Sequence, residues 1–456
     1  MNTLEIYKNL KIVKIINEIN VDIENVTIDT RKVDKGSCFI GIKGEKTDGN
    51  LLYKNAFDAG ASLVILEYFD ESLENINYLK ENNKSVIIVP STIEALGLLA
   101  KLKRSEFFSP VVAVTGSAGK TSTKDMIYSV LKEKYKVHKT IGNQNNHIGL
   151  PLTILSLDKD NEILVLEMGM NHLKEISYLT NIAKPDVAVI TNVGTAHIGN
   201  LGSRENILKA KLEILEGLNP NGTVIINNDN DLLHKWYLEN KDNYKIITIG
   251  INEVSDYMPV IIEKGEWGTT FSCKNTIYKV PVGGDHFIYN ALSAIAVANL
   301  FNVSTKEIQD GIINFELSSN RMSVSVTEGI TLIDDSYNAN FDSMSYAIKY
   351  LASLPGRSIA VLGSMKELGN FSESLHRKIG ALVAKEKIDI LITVGDEAKF
   401  INEEAINNGY NKDTSYHFET NKEAITFINS IKRSEDNILV KASNSLNFKE
   451  IVDNIK

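Results

Sequence analysis

The chain has 456 residues, 43% hydrophobic and 23% charged, the balance of a folded globular protein long enough for about three domains. Its formal net charge of −9 disfavours nucleic acid and anionic membrane surfaces as partners, and no apolar run reaches the roughly 18 residues that a membrane span requires. Only two cysteines occur, Cys38 and Cys273, with no metal or disulfide spacing, so a reducing cytoplasm is the expected compartment.

Residues 1–20 place Glu5, Lys8, Lys11, Lys14 and Glu18 among apolar positions, which predicts an amphipathic helix and not a signal peptide. Short strands follow at 37–42, 62–66 and 86–89, separated by glycine-bearing turns. They predict a small N-terminal α/β domain, 1–90. A helix over 93–103 leads into a second unit, 91–315. Its strands at 111–114, 163–166, 187–190 and 224–226 are continuous apolar runs spaced by helical patterns. Such runs predict a mostly parallel sheet buried on both faces. Residues 257–282 read as a small antiparallel appendage, followed by a helix over 289–300. From Glu316 a third unit, 316–456, carries strands at 331–333, 359–362, 388–394 and 438–440. It predicts a second open α/β domain.

The run 111–114 is followed by Thr115-Gly116-Ser117-Ala118-Gly119-Lys120-Thr121 and then by a helical pattern. Strand, glycine turn, Lys-Thr and helix form a phosphate cradle. The glycines let backbone N–H groups approach phosphate oxygens, and the helix start adds partial positive charge. Lys120 can neutralise the β/γ-phosphates of ATP, and the Thr121 hydroxyl can ligate Mg²⁺. The spacing, G-x-x-G-K-T, is shorter than the usual G-x-x-x-x-G-K-T.

Ligands of open parallel sheets gather beyond the carboxyl ends of the strands. Glu167 and His197 both follow strand runs there and are candidate metal ligands. Residues 203–218 read as a helix with Ser203 as its N-cap. Ile207, Leu208, Ala210, Ile214, Leu215 and Leu218 share its apolar face, and Lys211 falls in the middle of it. Glu205, Lys209, Glu213 and Glu216 fall opposite. An ammonium on a core face must snorkel, find a partner, or lose its charge. A neutral lysine can react with CO₂ to give a carbamate, which is a carboxylate.

This ordered set resembles the Mur ligase family over essentially the whole chain. The short loop 115–121 matches its T-G-[ST]-x-G-K-T motif, and Gly142-Asn143-Gln144-Asn145-Asn146 resembles the segment that follows. Glu167-Met168-Gly169, Ala196-His197 and Ala210-Lys211-x-Glu213 resemble its metal-binding Glu, its second-metal His and its carbamylated Lys. His286 and Asn290-Ala291-Leu292 match the adenine side. Arg321, Asp335-Ser336-Tyr337-Asn338-Ala339-Asn340, Gly363-x-Met365-x-Glu367 and His376 match the C-terminal domain. Asp29-Thr30-Arg31 resembles the uridine-nucleotide segment.

The resemblance implies a UDP-substrate domain, a P-loop ATPase domain and a Rossmann-like acceptor domain. It implies ATP and two Mg²⁺ ions, with Thr121, Glu167, His197 and carbamylated Lys211 as metal ligands. Asn290, Arg321 and Asp335 join the loop around ATP. Thr30, Arg31, Asn143, Tyr337, Asn338, Asn340, Ser364 and His376 fall to the other substrates, with His376 a candidate base. The Asp-x-Tyr-Asn-Ala-Asn string points to the branch that adds D-alanyl-D-alanine to UDP-N-acetylmuramoyl-tripeptide through an acyl phosphate, acting as a cytoplasmic monomer. A sister ligase adding a single amino acid, or a non-catalytic nucleotide-binding homologue, are the rival readings. Asn50, Phe287, Phe341, Ser364, Ala442 and Asn444 depart from the family pattern, on the UDP-substrate and acceptor sides.

Overall fold

The computed structural model describes residues 1–318 and 320–455. The expected end of the third unit, Lys456, lies outside the described residues. Three open α/β sheets follow one another along the chain, with a three-stranded antiparallel sheet between the second and third.

The central sheet runs, in spatial order, Lys245–Ile249, Thr223–Asn227, Val187–Ile190, Val111–Thr115, Ile163–Glu167, Val137–Lys139. Every pairing in it is parallel. The interior strands are buried along their whole length, which is why their sequences are unbroken apolar runs. The chain leaves Val111–Thr115 for one side of the sheet and later crosses to the other, so a topological switch lies at its carboxyl end.

The N-terminal sheet is Lys14–Ile16, Ser85–Ile88, Leu63–Leu66, Cys38–Ile40, Val26–Thr27, parallel but for the first pair. The C-terminal sheet is Ser323–Thr327, Ile330–Asp334, Asp436–Lys441, Arg357–Gly363, Ile390–Val394, Ser415–Phe418, again with one antiparallel edge. The antiparallel appendage comprises Val260–Gly265, Gly268–Cys273 and Thr276–Val280. Both cysteines are free and buried.

Two expectations change. The N-terminal segment is not one helix: Thr3–Asn9 is helical, and Lys14–Ile16 then pairs with Ser85–Ile88. The β-branched pair Ile15-Ile16 fits a strand better than a helix. The helix expected over 203–218 is Arg204–Leu212, capped as expected by Ser203, and it tightens into a 3₁₀ turn at Glu213–Glu216. Glu213 is therefore buried and does not face solvent. Its Oε1 accepts from the Lys174 N–H at 2.7 Å and its Oε2 from the Ser177 N–H at 3.1 Å. These are orphan donors at the start of the helix Glu175–Ala183, which no side chain of its own caps.

Removing this carboxylate leaves two part-buried N–H groups without their acceptor. Glu213→Ala is expected to destabilise the protein by about 1–3 kcal/mol, and Glu213→Gln, which keeps one acceptor oxygen, by less. Urea unfolding midpoints of the three proteins check the order.

Candidate active site

A cavity of 350 Å³ lies between the carboxyl ends of the central strands and the C-terminal unit. It is lined by Ser117, Ala118, Gly119, Lys120 and Thr121 on one side and by Arg321, Asp335, Tyr337, Asn338 and Asn340 on the other, with Glu167, His197, Asn143 and Asn290 along its walls.

The phosphate cradle is built from the strand Val111–Thr115 and the helix Lys120–Leu131. Gly119 precedes the helix at φ +79°, a left-handed conformation natural to glycine. No side chain caps the helix, so its first-turn N–H groups remain for an outside acceptor. Asn192 fixes the loop from the neighbouring strand end: its Oδ1 accepts from the Ser117 N–H at 3.0 Å and the Ala118 N–H at 2.9 Å. Lys120 Nζ donates back to the Gly116 carbonyl at 2.8 Å. Burial lowers the pKa of Lys120, against the opposing pull of Glu167. Thr115 and Gly116 lie beneath the cradle and do not line the cavity. The Thr115 hydroxyl donates to the Met168 carbonyl at 2.9 Å and so pins two strand ends together.

Glu167 is 2% exposed. Its Oε1 accepts from Asn145 Nδ2 at 2.7 Å, while its Oε2 is buried without a hydrogen-bond partner. A buried carboxylate oxygen without a donor, facing a threonine hydroxyl across a polar cavity, suits a hard cation. His197 opens the short helix Ile198–Leu201 at φ +63°, and its Nδ1 lies 2.5 Å from Glu367 Oε2. That contact holds the Glu367 carboxyl below the ordinary carboxylate range.

Lys211 sits behind the cavity wall, 1% exposed on the helix Arg204–Leu212. Burial pushes its ammonium well below the ordinary lysine range, and Lys120 pushes the same way; no carboxylate acts on it. The side chain therefore does not snorkel, and its burial disfavours the charged form.

The C-terminal unit closes the cavity. The Arg321 guanidinium stacks 3.8 Å over the Tyr337 ring. Asp335 accepts from Lys441 Nζ at 2.5 Å and from the Met322 N–H at 3.1 Å. Lys441 also donates to the Asn338 carbonyl at 2.9 Å. Asn340 caps the helix Phe341–Ser353 and donates from Nδ2 to the Ser117 carbonyl at 3.3 Å. Asp342 accepts from the Thr195 N–H at 2.8 Å. Gly194 makes room for this contact, since a Cβ there would lie 2.0 Å from Asp342 Oδ2. Asn290 accepts from Thr123 Oγ1 at 2.8 Å, leaving its Nδ2 buried and unpaired, as is His286 Nδ1. Both residues border the cavity.

Besides Thr115, Gly116 and Lys211, four more expected site residues do not line this cavity. Thr30 and Arg31 form a short turn on the N-terminal unit, where Arg31, with its side chain 87% exposed, pairs with Asp29. Ser364, expected to face the cleft, is buried at the end of Arg357–Gly363 beside Gly395. His376 is fully buried; its Nε2 accepts from the Met365 N–H at 2.8 Å, and its Nδ1 donates to the Ser372 carbonyl at 2.7 Å. Both ring nitrogens are committed, so His376 braces the loop after that strand and offers no lone pair to an amine. Asn143 is exposed at the rim, and Asn145, two residues on, makes the contact to Glu167. The sequence pattern alone points to no role for Asn192, Asn145, Asp342 or Lys441, and places Glu367 only on the acceptor side. Each acts on a residue distant in the chain, which only the packing reveals.

Three family models match in chain order: Mur ligase family, catalytic domain, over 22–104; Mur ligase middle domain, over 114–298; and Mur ligase, glutamate ligase domain, over 320–444. The chain is 39% identical over 439 residues to UDP-N-acetylmuramoyl-tripeptide–D-alanyl-D-alanine ligase of Bacillus subtilis (strain 168), covering 95% of this chain and 93% of that protein. The protein of the same name from Escherichia coli (strain K12) is 32% identical, with 95% and 94% covered. Among solved structures, MurF from Acinetobacter baumannii superposes with a TM-score of 0.89 at 28% identity, over 99% of this chain and 98% of that one. MurF ligase from Thermotoga maritima in complex with ADP gives 0.82 at 28% identity, over 94% and 96%.

His286 gives the cavity wall a pH signature. Burial lowers its pKa to about 4, with Lys441 acting in the same direction. An unfolded histidine takes up its proton near about 6.5. Between those values the unfolded chain binds more protons, so the contribution of His286 to stability is intact above pH 6.5 and is lost as pH falls toward 4. Urea midpoints measured from pH 7 to pH 4 should drop more steeply for the wild type than for His286→Gln. Parallel curves would contradict this.

Proposed function

The chain belongs to the Mur ligase family, and we propose the following account of how it works. It is an ATP-dependent amide ligase that adds D-alanyl-D-alanine to UDP-N-acetylmuramoyl-tripeptide in peptidoglycan precursor synthesis. The observation that carries the account is the cavity itself. An uncapped helix start, the half-buried Lys120 amine and an unpaired oxygen of Glu167 converge there, opposite Arg321 and Asp335.

A carboxylate is a poor electrophile. In the first step a carboxylate oxygen of the tripeptide attacks the γ-phosphorus of ATP, the bond to the β,γ-bridging oxygen breaks, and ADP leaves. The neutral amine of the dipeptide then attacks the acyl carbon. An amide C–N bond forms, phosphate departs with the acyl oxygen, and one amine proton is released. The first-turn N–H groups of Lys120–Leu131 and Lys120 Nζ, exchanging the Gly116 carbonyl for phosphate oxygens, stabilise the phosphoryl charge.

Thr121 and Glu167 would hold one Mg²⁺, and His197 with a carbamylated Lys211 a second. Bound there, the ions neutralise charge on the transferring phosphoryl group. Lys211 is suited to carbamylation because burial and Lys120 both disfavour its ammonium. Its lone pair attacks CO₂, an N–C bond forms, one N-bound proton leaves, and a carboxylate results.

Asn290, Arg321 and Asp335 contact the nucleotide, and Tyr337, Asn338 and Asn340 border the acceptor side. Thr30 and Arg31 serve the uridine nucleotide from the N-terminal surface, and Asn143 serves the UDP-substrate from the rim. The functional domains are 1–90, 91–315 and 316–456, and the enzyme works as a monomer in the cytoplasm. No helix among the described residues is long and apolar enough to cross a membrane.

Phosphate release should require ATP, Mg²⁺, D-alanyl-D-alanine and a UDP-muramoyl-tripeptide ending in meso-diaminopimelate or L-lysine. Release with single amino acids but not with the dipeptide would favour a sister ligase, and no release with any acceptor a non-catalytic homologue.

Lys211→Ala should lose about 3–4 kcal/mol of transition-state stabilisation, the scale of a charge-stabilising group. Lys211→Arg should fail as well, because a guanidinium forms no carbamate. Near-normal turnover by the Arg variant would refute the carbamate.

A further inference from the structure

The loop after Arg357–Gly363 extends from the C-terminal unit to the central one and lays a carboxylate against His197. Glu367 Oε2 lies 2.5 Å from His197 Nδ1, and the Glu367 carbonyl accepts from the Gly199 N–H at 3.1 Å. Glu367 holds φ at +65°, a backbone state uncommon outside glycine, so its position is imposed by its surroundings. Gly199 packs backbone to backbone on this loop: a Cβ there would lie 2.6 Å from the Gly369 nitrogen and 2.7 Å from the Glu367 oxygen. The loop is braced from behind, where His376 Nε2 accepts the Met365 N–H and Ser443 Oγ accepts the Lys366 N–H at 2.8 Å.

A neutral imidazole has one donor nitrogen and one acceptor nitrogen. The short contact with Glu367 covers Nδ1, although it lacks the alignment of a hydrogen bond, and leaves Nε2 as the ring nitrogen open to a ligand. A carboxylate behind a ligating histidine fixes ring orientation and raises its basicity. We propose that Glu367 is a positioning residue that sets the orientation of the His197 ring as a ligand of the second divalent ion, so that this ion's site is completed only when the C-terminal unit is docked on the central unit. The inference rests on the reading of His197 as a ligand of that ion. Linkage makes it reciprocal: the second ion favours docking by as much as docking favours the ion.

The test is a Mn²⁺ titration of the full chain with ADP and bicarbonate, followed by electron paramagnetic resonance. Wild type should bind two ions, and His197→Ala should lose the second. Glu367→Ala should retain ADP and the first ion while weakening the second by about 10–100-fold. Glu367→Gln, which keeps an acceptor oxygen, should restore most of that affinity. The double variant should match His197→Ala, since the two residues act as one unit. One ion in the wild type, or two in His197→Ala, overturns the reading of His197 itself. Loss of the second ion in His197→Ala together with its full retention in Glu367→Ala overturns only the role of Glu367. Loss of ADP or of both ions in Glu367→Ala, or failure of Glu367→Gln to restore affinity, also overturns that role.

Discussion

Lys211 is an amine withdrawn from water and repelled by a second amine, Lys120, with no carboxylate to hold its charge. An unpaired buried ammonium is so unfavourable that such a group gives up its proton. That constraint decides the electrostatics of the whole site. As a neutral amine Lys211 is a nucleophile toward CO₂. As a carbamate it would turn a repulsion with Lys120 into an attraction and would add an anionic group to a site where no cluster of three or more His, Cys, Asp or Glu occurs among the described residues.

The fold serves this arrangement by delivery. A wholly parallel sheet sends all its strands to one edge, so the cradle after Val111–Thr115, Glu167 after the next strand and Asn192 after Val187–Ile190 arrive together. The contacts that hold the C-terminal unit over that edge land on the same loops. Asn340 reaches the cradle at Ser117, Asp342 reaches Thr195, and Glu367 reaches His197. Docking of the two units and organisation of the site are therefore one process, which suits an enzyme that must exclude water from an acyl phosphate.

The interior strands of all three large sheets were legible in the sequence, because burial on both faces makes them unbroken apolar runs. The edge strands were not. Lys14–Ile16, Val26–Thr27, Val137–Lys139, Lys245–Ile249, Ser323–Thr327 and Ser415–Phe418 form both edges of each sheet. Most of these strands are partly exposed along their length, so polar residues interrupt them and they carry no such run. The site divides along similar lines. Lys120, Glu167, His197 and Lys211 were readable because each is placed by its own strand end or helix face. Asn192, Asn145 and Glu367 were not, because a carboxamide or carboxylate shows its role only through a partner far away in the chain. Ser364 and His376 were expected at the substrates from motif matches, which say nothing of burial; Ser364 lies at the buried end of its strand, and His376 faces the core from the helix Ser372–Lys385.

The central claim is that Lys211 becomes an anionic ligand at a two-ion site. The most direct measurement is a crystal structure with ADP, Mn²⁺ and bicarbonate, using the anomalous scattering of manganese. The account predicts two anomalous peaks, one against Thr121 and Glu167 and one against His197, with density for a carboxylate on Lys211 Nζ. A single peak at Thr121 and Glu167, with Lys211 ending in a bare amine, would contradict it.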